Sequence, residues 1–119
     1  MDLNRMVEII KTHPDFRKAG MIASHLGIVR SFSRDGKPVS GVDVRFDGEK
    51  IEEIVKDIKS RPGIVDILIE TNSGHLGVGE EIVTVMVAGD IRDNVFPALI
   101  DAVNRVKSEA AAKDEKLID

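Results

Sequence analysis

Between Glu49 and Ser60 the apolar residues Ile51, Ile54, Val55 and Ile58 recur at helical spacing, with Asp47 placed to cap the first turn and "RPG" to stop the last. This is the clearest helix that the pattern predicts. An earlier one is expected over residues 3–12, where Leu3, Met6, Val7 and Ile10 share a face and "HPDF" ends it. A third runs through Val95, Phe96, Leu99, Ile100, Val103 and Val106, capped by Asp93 or Asn94 and with Pro97 in its first turn. Between the helices the period falls to two. In "VSGVDVRF" (39–46) Val42, Val44 and Phe46 alternate with Gly41, Asp43 and Arg45, which predicts one dry face and one wet face. "GMIASHLGIVRSF" (20–32), "IVDILIET" (64–71) and "EIVTVMVA" (81–88) are rich in β-formers and bounded by turn residues. The predicted order is α-β-β-α-β-β-α, an α+β fold in which an antiparallel or mixed sheet is covered by helices.

The last two strands are joined by "SGHLGVGEE" (73–81). Its glycines run G-x-x-G-x-G, which is not the dinucleotide-binding order, and a strand follows where a phosphate loop would open a helix. The expectation is a hairpin-like connection with Gly74, Gly77 or Gly79 at positive φ.

Composition narrows the function classes. With 119 residues, 42% hydrophobic and 32% charged, the chain has the balance of one soluble domain, and its tail from about residue 110 is composed so that it is free to fray. No apolar run reaches the roughly 20 residues of a membrane span, and "MDLNRMVEII" lacks the basic start and apolar middle of a signal peptide, so a cytoplasmic location is expected. Cysteine is absent, which removes disulfides and thiolate chemistry. A net charge of -4, with no Trp or Tyr, argues against nucleic-acid binding.

Among candidate chemical groups, His13, His25 and His75 show no metal-ligand spacing, and Ser24, Ser31 and Ser73 have no nucleophile-elbow context. No metal and no cofactor is therefore expected. The cations are more informative. Arg30 closes the first strand stretch, Arg92 opens the last helix, and Lys107 and Lys113 lie near the C-terminus. Cations at element ends beside glycine-rich turns suit an anionic pocket, although most surface Lys and Arg are simply solvated.

Three stretches carry a family resemblance over about residues 14–115: "HLGIVR", "VSGVDVRFDGEKIEEIVKDI" and "SGHLGVGEEIVTVMVAGDIRDNVFPALIDAVNRVK". The first is similar to a G-x-V-R strand end. The last is similar to a run of glycine loop, apolar strand, arginine, phenylalanine and a helix carrying Ile-Asp and a lysine. In that order they resemble the MoaE family, the large, catalytic subunit of molybdopterin synthase.

The resemblance implies an α/β hammerhead-like fold and a homodimer. It implies a small ubiquitin-like partner whose C-terminal Gly-Gly thiocarboxylate gives sulfur to cyclic pyranopterin monophosphate. The absence of cysteine then raises no difficulty, since sulfur arrives on the partner. Residue by residue, the resemblance implies that Arg30 and Arg92 bind substrate phosphate or carrier carboxylate, with Lys107 a further substrate-binding candidate. Because a doubly charged phosphate prefers forked, charge-assisted donors, Arg30 and Arg92 are expected close enough to share one anion. Lys113 matches the lysine of a P-x-W-K-x-E motif after a one-residue gap and would donate or accept the proton, with Lys116 as its substitute. The chain departs from the family pattern at several places. Ile91 stands for a histidine, Arg45 for a glutamate, Thr71-Asn72 for His-Arg, and Ala110–Ala112 for the Pro and Trp before the lysine. Three readings stay open: a divergent sulfurtransferase, a non-catalytic homodimeric scaffold that binds an anion or a carrier tail, or an α+β ligand-binding domain unrelated to the pterin pathway.

Overall fold

The computed structural model describes residues 1–118. Its elements are α1 (Leu3–Lys11), β1 (Met21–Ile28), β2 (Val39–Phe46), α2 (Gly48–Lys59), β3 (Ile64–Thr71), β4 (Gly74–Gly77), β5 (Glu81–Gly89), α3 (Arg92–Arg105) and β6 (Ala111–Leu117). A short 3-10 turn, Phe16–Lys18, follows α1, and a π-turn, Val106–Ala110, joins α3 to β6. The α+β reading holds, but the strands form two antiparallel three-stranded sheets rather than one, ordered β1-β5-β3 and β4-β2-β6.

The first sheet is buried on both faces. Along β5, Val83, Val85 and Val87 pack with Ile54 and Ile58 of α2 and with Val95, Ala98 and Ala102 of α3. Met86 and Ala88 face the other way, onto Met6 and Ile10 of α1. A strand covered on both sides reads as an unbroken apolar run, which is why "IVTVMVAG" lacks alternation. The second sheet has one small dry face, where Val42, Val44 and Leu76 pack with Val29.

Local chemistry explains the helix ends. Asp2 caps α1 by accepting from the Arg5 amide at 3.2 Å. Asp47 caps α2, accepting from Glu49 and Lys50 at 3.0 and 3.3 Å. The start of α3 differs from expectation. It begins at Arg92, ahead of Asp93 and Asn94, and its N-cap Ile91 has no side chain to offer. Asp90 organises the turn instead, accepting from the Ile91 amide at 2.7 Å and from Asn94 Nδ2 at 2.9 Å. Pro97 consequently falls in the second turn, where its missing N–H leaves the Asp93 carbonyl without a helical donor.

Two further corrections concern the second sheet. The connection after β3 is not a bare hairpin, because Gly74–Gly77 form β4 and pair with β2. Gly74 and Gly79 do take positive φ, at 117° and 89°. The segment read as a fraying tail is strand β6, paired with β2 from Phe46↔Ala111 to Val39↔Leu117.

Candidate functional site

The two sheets meet where β1 ends. Val29 lies just beyond it, and its amide donates to the Glu80 carbonyl at 2.9 Å while its carbonyl accepts from Gly79 at 2.8 Å. Its side chain turns into the second sheet, against Val42, Val44 and Leu76. Gly79 is therefore part of the seam, and its positive φ lets the chain turn back between β4 and β5 to make that bond.

Three of the four candidate cations lie on segments that border this seam. Arg30 follows Val29 directly and is exposed. Lys113 lies on β6 opposite Val44, and cross-strand partners share a face, so it stands on the Val29 side of the second sheet. Lys107 lies in the π-turn that leads into β6. That turn is anchored to the sheet by the Asp47 amide, which donates to the Ala110 carbonyl at 2.9 Å. Lys107 is close enough to His25 of β1 that its charge, after burial, helps to hold the imidazole pKa below its ordinary value of 6.5. His25 Nε2 is buried without a hydrogen-bond partner.

Arg92 is elsewhere. In the β1–β5 ladder Ile28 faces Glu81 and Met21 faces Gly89, so Arg30 and Arg92 leave opposite ends of the pair. Eight residues of strand at about 3.3 Å each separate these ends by roughly 25 Å. Within one chain Arg30 and Arg92 therefore do not share an anion, contrary to expectation. Antiparallel pairing of the two strands, invisible in the separate motifs, is the cause.

The opposite face of the second sheet carries a polar cluster that the motifs did not signal. Asp43 Oδ1 lies 2.8 Å from His75 Nδ1, and Asp43 Oδ2 lies 3.0 Å from Lys116 Nζ, which also reaches Asp114 at 3.0 Å. His75, followed by Lys116, holds the Asp43 carboxyl below the usual carboxylate range, while Asp114 and Asp43 raise Lys116. Lys116 is thus engaged in this network and, opposite Gly41, stands on the other face of the sheet from Lys113. A concavity of about 460 Å³ is lined by residues of both faces, Asp43, Arg45 and His75 from this one and Val44, Gly74 and Lys113 from the other. Register explains why it was hidden: His75 meets Asp43 only because β4 pairs with β2, and four residues are too few to display a strand period. Among the described residues no three His, Asp or Glu side chains gather as a metal would require.

Comparison with known proteins agrees with this architecture. A protein of Methanocaldococcus jannaschii without assigned function is 31% identical over 94 residues, covering 76% of this chain and 79% of its own. A probable molybdopterin synthase of Haloferax volcanii is 30% identical over 112 residues, covering 90% of this chain, which spans 43% of that relative's length. The crystal structure of molybdopterin synthase from Staphylococcus aureus superposes with a TM-score of 0.81 at 20% identity, covering all of this chain and 87% of the other. A complex of subunits 1 and 2 of the molybdopterin-converting factor from Helicobacter pylori gives 0.72 at 16% identity, covering 98% and 80%. These two share the fold. The family model described as MoaE protein matches residues 1–109, ending before Lys113. By that match the chain belongs to the MoaE family.

Proposed function

We propose that this chain is the catalytic subunit of a molybdopterin synthase, passing sulfur from a thiocarboxylated, Gly-Gly-ended carrier to cyclic pyranopterin monophosphate. What supports the reading is the MoaE-family fold, in which Arg30 follows Val29 at the seam, Lys113 stands on the Val29 side of the second sheet and Lys107 lies in the turn that leads into β6. Both reactants are anions, so cations aimed at one place bind substrate phosphate and carrier carboxylate and offset their mutual repulsion. The carrier's sulfur is the nucleophile, and the chain itself needs only to orient the two partners and manage protons. Lys113 is the proton donor or acceptor, and Arg30 and Lys107 hold the anions. The Helicobacter pylori structure is of a two-subunit complex, and the same kind of pairing with a small carrier is assigned to this chain.

A homodimer belongs to the same reading. Ile91, Phe96 and Ile100 are 53%, 47% and 61% exposed around the first turns of α3, an apolar stripe beside Arg92. A second copy covering that stripe is the arrangement that lets Arg92 contribute to an anion site, since Arg30 of its own chain is out of reach. Phe96→Glu then yields monomers at micromolar concentration, read by light scattering. A wild-type protein that is already monomeric there sinks the dimer. No helix among the described residues is long and apolar enough to cross a membrane, and a cytoplasmic location is part of the proposal.

The direct test mixes the purified chain, thiocarboxylated carrier and cyclic pyranopterin monophosphate and measures dithiolene product. Product that depends on Lys113 and Lys107 supports the enzyme. Carrier binding without product supports the scaffold.

A further inference from the structure

Phe32 is 50% exposed, yet its place is closely determined. It bridges Pro38 across a hairpin that leads into β2. Val39 donates to the Ser31 carbonyl at 2.9 Å, Ser33 to the Lys37 carbonyl at 2.8 Å, and Lys37 to Ser33 Oγ at 3.1 Å. Gly36 closes the tip with φ 80°. A phenyl ring held half in water gains little from burial, so the hairpin presents it for another reason. The guanidinium of Arg30 supplies one: its central carbon lies 5.1 Å from the centre of the Phe32 ring.

We propose that Phe32 is the positioning residue for Arg30, holding the guanidinium by its flat face so that the N–H groups on its edge are aimed at an anionic ligand before that ligand arrives. A guanidinium stacks with its face and donates from its rim, so the ring and the anion do not compete for it. Free in water, the same side chain would lose rotamer freedom on binding, and the stack removes part of that loss in advance. This inference rests on the reading of Arg30 as an anion-binding residue.

The experiment is a double-mutant cycle with inorganic pyrophosphate as the probe, its affinity followed by NMR titration of the folded protein. Arg30→Ala is expected to weaken binding, and Phe32→Leu to weaken it about two- to fivefold, the range for an exposed cation–π contact. Phe32→Trp keeps the wild-type affinity. In the Arg30→Ala background Phe32→Leu has no further effect. An unchanged affinity in Phe32→Leu, or a loss of the same size in both backgrounds, overturns the positioning role while leaving Arg30 as an anion ligand. Unchanged affinity in Arg30→Ala overturns the anion-binding reading of Arg30 and the inference with it.

Discussion

The two sheets contain three strands each but rest on different physics. In the first, every residue of β5 from Val83 to Gly89 is buried, and helices cover both faces. In the second, one face packs Val42, Val44 and Leu76 against Val29, and the other carries the Asp43, His75, Asp114 and Lys116 network in water. Stability is concentrated in the first sheet. The second, lighter sheet is where charged groups stand without a large desolvation cost, and the candidate site lies along the seam between them. A site at the edge of a rigid body combines a fixed frame with open access for its ligands.

The largest effect expected from this division falls on activity. Lys113→Ala should lower the rate of dithiolene formation by about 10²–10⁴-fold, the range for a lost proton-transfer group, with little change in melting temperature. Lys116→Ala, on the other face, should leave the rate nearly intact, and equal losses in both would break the assignment of faces.

Next in size is the contrast in packing. Ile67 is 1% exposed in the first sheet's core, and Ile67→Ala should cost about 2–5 kcal/mol in denaturant unfolding. Leu76→Ala, in the small cluster under the second sheet, should fall at or below the lower end of that range. A reversed order would show that the second sheet carries more of the stability than its burial suggests.

Gly79→Val comes third, at roughly 1 kcal/mol or more. An added Cβ there meets nothing within 4 Å, so the cost comes chiefly from the φ of 89°. Anion affinity of the folded fraction should change little.

The smallest effect is a pH dependence. The folded His25 pKa lies below the unfolded value of 6.5, so the unfolded chain binds the extra proton more readily. The associated stability is complete above pH 6.5 and declines as pH falls through that value toward the folded pKa. His25→Phe should flatten this part of the stability profile, and an identical profile in the variant would remove His25 as its source.

The elements that were legible in the chain are those with enough length to display a period. The Ile51–Ile54–Val55–Ile58 face and the Asp47 cap appear in the structure as α2, and the apolar run after Glu81 is the doubly covered β5. β4 was not legible because four residues whose partner strand, β2, is distant in sequence look like a turn. β6 was hidden because "AAKDEKL" has no apolar alternation: as an edge strand, its pairing comes from backbone bonds to β2 and owes little to side chains. The site divided in the same way. Of the candidate cations, Arg30 follows Val29 at the seam, Lys113 shares a sheet face with Val44, and Lys107 lies in the turn before β6. Within one chain Arg92 and Arg30 leave opposite ends of the β1–β5 ladder, and adjacency in a motif carries no information about which end that is.

The bond between Asp47 and Ala110 fixes where β6 starts, and every side chain after it inherits its direction from that single anchor. Residues along a strand alternate like the colours of a chessboard, so chain length between Lys107 and Lys113 matters by parity. Adding one residue after Ala110 would exchange the two faces, sending the lysine to the Asp43 side and its acidic neighbour to the seam. Adding two would restore them. The π-turn at Val106–Ala110 is the segment that can absorb an odd residue upstream of the anchor, because a π-turn holds one more residue than an α-turn over the same rise. Length variation in relatives should therefore collect upstream of the anchor, and past it should come in pairs.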